Sequence, residues 1–240
     1  MIIFMSEKLK KLLDDLKTQA NPQQATILRR FFKTEKGQYG HGDIFLGIKV
    51  PIQRKIAKNF LNLPFPDLTI LLNSKVHEHR LVAILIMIDQ FKKGDYSQKN
   101  KIYKFYLKNY KNINNWDLVD ISAPSIVGQW LKDKPKDVLY KLARSKNLWQ
   151  KRVAIISTFN FIRNGDFDEA FKIIEILIKD DHDLIHKAIG WMLREIGKRD
   201  EKKEKDFLNK HCKQMARTTL RYAIEKFNKK ERNYYLLCSR

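Results

Sequence analysis

The chain has 240 residues, with 48 Lys and Arg against 27 Asp and Glu and a formal net charge of +21. Hydrophobic residues make up 43%, enough for a packed core, which excludes a disordered basic tail and points to a folded protein with a polyanionic partner. Nine glycines and six prolines are about half the usual share, so long helices are expected rather than strands and turns. In chain order, the apolar opening Met1 to Met5 is too short for a signal peptide, and Met5 is itself a candidate start. Glycines 37, 40, 42 and 47 mark a close-approach loop without the Gly-Lys-Ser/Thr of a phosphate loop, and Pro51 is placed to begin the next helix. The longest apolar run, Leu81 to Ile88, falls far below the ~20 residues needed to span a bilayer. Amphipathic segments follow at Asp95 to Tyr110, Pro135 to Ser145 and Asp166 to Lys179. No Pro/Gly/Ser-rich linker interrupts residues 1–240, which therefore read as a single domain. Two cysteines, Cys212 and Cys238, are too few for a disulfide framework and suit a reducing cytoplasm.

A repeat runs through this pattern. Ala-Ile pairs at 83–84, 154–155, 188–189 and 223–224 sit in apolar stretches, each preceded closely by Arg80, Arg152, Lys187 or Arg221. The alanines are 71, 34 and 35 residues apart, so one copy is missing near residue 118, where the chain reads Asn114-Asn115-Trp116-Asp117-Leu118-Val119-Asp120. Two helices per period, without the tetratricopeptide consensus, predict an all-α fold of HEAT-like helix pairs stacked into a curved solenoid. The four basic residues are then expected along one face of a concave groove, a footprint for nucleic acid; solvated charges at helix starts are the plainer alternative.

Trp116 and Asp120 are four positions apart on a helix capped by Asn114 or Asn115, so they share a face suited to a cation, through the indole quadrupole and the carboxylate. The same pair also fits a core tryptophan and an acid favoured by the helix dipole. At the repeat period, Arg152 and Trp191 fall in neighbouring units, and Arg194 shares the Trp191 face. Trp130 and Trp149 sit in apolar patterns and read as core, while Lys134 and Lys136 read as solvated. The His182-x-x-x-His186 spacing lacks a third ligand, so no metal and no cofactor is expected.

The segments 115–120, 147–155 and 187–195, with Tyr39 to Pro51 upstream, resemble in order and spacing the signature blocks of bacterial AlkD-type DNA alkylation repair proteins. The run Glu201 to Lys205 and the tail after Asn228 match less closely. The resemblance implies a HEAT-like, monofunctional DNA glycosylase that excises cationic N3- and N7-alkylated purines from duplex DNA, gripping backbone and sugar without a base-shaped pocket. It implies that Trp116 and Trp191 flank the lesion's deoxyribose, that Asp120 stabilises the developing sugar cation and positions water, and that Arg152 holds the adjoining phosphate. Lys49, Arg80, Lys151, Lys187, Arg194 and Arg221 are the further cations expected to contact nucleic acid. The expected partner is double-stranded DNA carrying alkylated purines, met by a monomer away from membranes. The alternative is a non-catalytic HEAT-like module that binds nucleic acid or a partner protein.

Overall fold

The computed structural model describes residues 5–238, and the apolar opening Met1 to Phe4 lies outside them. The described residues are mainly helical, and the one β feature among them is an isolated parallel bridge between Ile44 and Val76. No helix among these residues is long and apolar enough to cross a membrane. Two compact units divide at residue 118.

The first unit contains α1 (Glu7–Lys17), α2 (Pro22–Phe31), α3 (Val50–Lys58), α4 (Phe65–Leu72), α5 (His77–Lys93) and α6 (Tyr96–Lys108), and it ends within α7 (Trp116–Ser122). Local chemistry starts these helices where the sequence suggests. Ser6, Asn21 and Asp95 cap α1, α2 and α6 by accepting the backbone N–H three residues on. Pro51 stands in the first turn of α3, where its missing N–H leaves no bond unmade. The expected segment from Asp95 to Tyr110 is thus α6, with Asp95 as its cap. Helix α5 is buried from Leu81 to Ile88, the pattern of a central helix apolar on every side. The glycine-rich loop approaches its neighbours as closely as expected. Gly47 has φ +85°, and a Cβ there would lie 2.1 Å from the carbonyl oxygen of Asn21.

The second unit begins in α7 and adds α8 (Gln129–Leu131), α9 (Asp137–Ala143), α10 (Leu148–Ser157), α11 (Phe159–Arg163), α12 (Asp168–Leu177), α13 (Asp183–Gly197), α14 (Glu201–His211), α15 (Arg217–Ala223) and α16 (Lys229–Cys238). The segments expected at 135–145 and 166–179 are α9 and α12. Helix-pair packing is visible here: α10 packs on α9 and α13, and α13 packs on α14 and α15. The Ala-Ile pairs at 154–155, 188–189 and 223–224 are all buried in it. Between α7 and α8 the backbone runs as a π-helix from Ala123 to Gly128. Pro124 has no N–H to donate to the carbonyl of Asp120 four residues back, so the α pattern cannot continue through it.

Two expectations change. Cys212 and Cys238, read as thiols suited to a reducing compartment, are joined in a disulfide with Cα atoms 5.9 Å apart, tying α16 to the turn after α14. Lys134 and Lys136 are half-buried rather than solvated, with their ammonium groups over the rings of Trp130 at 4.2 Å and Phe161 at 5.5 Å. Trp130 and Trp149 are buried, as expected.

A close contact between α13 and α15 offers a test. A Cβ on Gly190 would lie 2.5 Å from the backbone oxygen of Thr219, so Gly190→Ala must push α13 away from α15. Urea unfolding is expected to show a loss of about 1–3 kcal/mol, the cost of overpacking a tight interface.

Candidate functional site

In the second unit, Asp120 and Arg152 are brought together. The Nε of Arg152 donates to Oδ1 of Asp120 at 2.8 Å and its Nη2 to Oδ2 at 2.7 Å, a two-pronged fit of guanidinium to carboxylate. Nη1 donates to the backbone oxygen of Leu184, at the start of α13. Arg152, the residue expected on a DNA phosphate, is 5% exposed and here holds the Asp120 carboxylate. Trp191, on α13, is half-buried; its ring lies 5.5 Å from that of Phe159 and its Nε1 donates to Glu195 at 3.3 Å. Burial works to raise the pKa of Glu195, but hydrogen bonds from Lys198 and Arg199 outweigh it and hold the carboxyl below the usual range. His182 and His186 do not converge on an ion: Nδ1 of His182 caps α13 at the N–H of Leu184, and Nε2 of His186 meets the carbonyl of Asp180. Among the described residues no group of three or more His, Cys, Asp or Glu is placed to hold a metal.

In the first unit, Trp116 lies in an aromatic cluster. Its ring stacks on Phe32 at 5.2 Å and 17° and meets Phe31 edge-on at 5.8 Å, while its Nε1 donates to the hydroxyl of Tyr39 at 3.3 Å. Asn115, of the two asparagines proposed as caps, accepts from the Trp116 N–H at 2.8 Å. Trp116 is only half-buried, and Phe31 beside it is 61% exposed.

Behind this cluster is a buried charge network that the sequence reading did not anticipate. The bridge between Ile44 and Val76 brings Asp43 beside the start of α5. There Asp43 Oδ2 lies 2.7 Å from Nη2 of Arg80 and 3.3 Å from Nδ1 of His77, whose Nε2 is 2.7 Å from Oδ2 of Asp117. The next residue, Glu78, is also buried, and it accepts the backbone N–H groups of Leu46, Gly47 and Ile48. Burial disfavours a charge on His77, yet the Asp117 and Asp43 carboxylates outweigh it and its pKa is pushed up to about 9. Burial likewise works to raise that of Asp43, and His77 and Arg80 reverse the effect. The signal that could have exposed this cluster is His77-Glu78-x-Arg80, polar residues that immediately precede the longest apolar run of the sequence.

Of the four cations that recur with the repeat, Arg80 and Arg152 are buried in ion pairs. Arg80, Arg152, Lys187 and Arg221 precede their repeat alanines by three, two, one and two positions, and each position turns the side chain by about 100°. Arg80 is accordingly buried on Asp43, and Arg152 on Asp120. Lys187 pairs with Asp183 at 2.7 Å, Lys151 with Asp180, and Arg194 with Glu225. Lys49 and Arg221 are exposed.

The sequence model of a family described as DNA alkylation repair enzyme matches residues 12–227, ending where the tail departs from the signature blocks. The fold is similar to that of a predicted DNA alkylation repair enzyme from Enterococcus faecalis, with a TM-score of 0.69, 19% identity, and 88% of this chain and 98% of that chain covered. No curated protein matches the chain.

Two outcomes follow from the pairings. Arg152→Ala removes both guanidinium bonds to Asp120 and the one to the Leu184 carbonyl, and is expected to cost about 3–5 kcal/mol in chemical denaturation, more than Asp120→Asn. The stabilisation from charged His77 is complete below its unfolded pKa near 6.5 and is lost as pH rises through about 9. Unfolding curves should therefore show wild type losing more stability than His77→Gln over that window.

Proposed function

The chain belongs to the DNA alkylation repair enzyme family, and from that premise we propose that it is a DNA glycosylase hydrolysing the N-glycosidic bond of cationic N3- and N7-alkylated purines in duplex DNA. The observation that carries this reading is the Asp120–Arg152 pair: a carboxylate 16% exposed in its side chain and held in one orientation by two hydrogen bonds. Cleavage of an N-glycosidic bond builds positive charge on the sugar, and a carboxylate fixed beforehand stabilises that charge without reorganising. Two bonds from Arg152 do not by themselves exhaust a carboxylate, which has about four acceptor sites, so the same group can orient the attacking water. An alkylated purine is already cationic and departs neutral, so the reaction needs no general acid.

In this reading Trp116 and Trp191 flank the lesion's deoxyribose and offer π-faces to a cationic nucleotide. Arg152 acts first on Asp120, and any contact with phosphate is made from that position. The structure gives a mechanical reason for the division: an arginine with all three nitrogen groups engaged is a better clamp than a mobile phosphate ligand. Of the cations expected to meet phosphate, Lys49 and Arg221 are exposed. Lys151, Lys187 and Arg194 would do so by exchanging the carboxylates of Asp180, Asp183 and Glu225 for DNA.

The test is release of free base from duplex DNA carrying 7-methylguanine, read by mass spectrometry. Wild type is expected to release base well above the spontaneous rate, and Asp120→Asn to lose about 100-fold or more while still binding DNA. DNA affinity should fall steeply between ~50 and ~200 mM salt. Binding without release, on this lesion and on 3-methyladenine, would leave a non-catalytic nucleic-acid module, and a flat salt profile would point to a protein partner.

A further inference from the structure

We infer that His77 is a positioning residue for Trp116: bridged as an imidazolium between Asp43 and Asp117, it sets the start of α7 and the orientation of the indole. The functional half of this inference rests on the reading above, in which Trp116 meets the lesion. Its structural half does not.

The protonation state follows from geometry. Both ring nitrogens of His77 face carboxylate oxygens, Nδ1 that of Asp43 at 3.3 Å and Nε2 that of Asp117 at 2.7 Å. A neutral imidazole has a single N–H and would set the lone pair of its other nitrogen against a carboxylate; only the imidazolium donates to both. The charges agree. Asp43 and Asp117 supply two negative charges, and His77 with Arg80 supplies two positive ones, so the cluster is neutral when His77 carries its proton. Loss of that proton would leave a net negative charge where His77 is 2% exposed.

Three connections run from this cluster to Trp116. Asp117, whose Oδ2 faces His77, accepts the N–H of Leu118 through Oδ1 at 2.8 Å, so the imidazolium is joined to the first turn of α7. On the other side in sequence, Asn115 caps the Trp116 N–H and its amide reaches Asp43 at 3.5 Å. Between them are the rings: His77 lies 4.9 Å from Phe32, and Phe32 stacks on Trp116. A buried ion cluster adds little net stability over apolar packing of the same volume, but it is directional, and a broken member leaves uncompensated charge. Its effect here falls on the two residues that flank Trp116. The other ionisable side chains near the start of α5 are turned elsewhere: His79 bonds Ser74 at 3.0 Å and Glu78 bonds the loop at 46–48.

The experiment uses the full chain labelled with 5-fluorotryptophan, its Trp116 resonance assigned with Trp116→Phe. In wild type, the Trp116 ¹⁹F resonance should move as pH is raised through about 9, while those of Trp130 and Trp149 stay in place. In His77→Gln that resonance should be displaced already at neutral pH and should no longer titrate. Single-turnover release of 7-methylguanine at neutral pH should then slow by about tenfold or more, with the half-saturating enzyme concentration changed by less than about threefold, a misplacement effect rather than a binding one. Asp117→Asn, which removes one carboxylate and leaves the imidazole, should displace the same resonance and supplies the test if His77→Gln does not fold. A folded His77→Gln whose Trp116 resonance is unmoved overturns the inference, as does a wild-type resonance that ignores pH. If the resonance responds but neither His77→Gln nor Trp116→Phe slows release, His77 positions Trp116 and the role given to Trp116 in base excision is what fails.

Discussion

A charge taken out of water must meet an opposite charge, and that constraint organises the residues around α7. At its first turn the carboxylate of Asp117 is held by His77 and Asp43 is shared between His77 and Arg80; at Asp120 the carboxylate is held by Arg152. Removing any one partner leaves another charge stranded, and this gives each cluster a single favoured arrangement. Side chains attached to that arrangement inherit its rigidity. Trp116 inherits it through Asn115 and Asp117, and the start of α13 through the bond from Arg152 to Leu184.

Rigidity is what the proposed chemistry asks of these residues. A carboxylate that stabilises a developing sugar cation is useful to the extent that it need not move when the charge appears. Apolar packing supplies the frame: α5 is sunk among neighbours on every side, and α13 rests so closely on α15 that only glycine fits at 190. Membership of the DNA alkylation repair enzyme family and this pairing of charges are independent observations. The first concerns the chain's ancestry and the second its electrostatics.

The residues proposed for the site stand out in the sequence because they lie in short, distinctive blocks. Trp116, Asp120, Arg152 and Trp191 were all singled out, and Asp120 and Arg152 do meet. The pairing of Arg152 with Asp120 is not legible in the sequence, because a phosphate and a carboxylate make the same demand on a guanidinium. Arg80 sits one position further from its repeat alanine than Arg152, and its side chain is turned toward Asp43. His77 went unnoticed because a lone histidine at a helix start carries no pattern until Asp43 and Asp117, distant in the chain, close around it.

By itself the sequence determined the helical class, the buried course of α5, the start of α3 at Pro51, the helices at 95–110, 135–145 and 166–179, and the family blocks. Each of these is a matter of local periodicity, capping or residue order, which a few neighbouring positions settle. Only the tertiary structure decided which cations are exposed and which are buried in pairs, that Cys212 and Cys238 are bonded, and that His77 is held between two acids. Those outcomes depend on groups far apart in the chain, 40 positions for His77 and Asp117, 29 for Lys151 and Asp180 and 26 for the two cysteines. Electrostatic pairing acts on distance in space, and helical periodicity does not encode that distance.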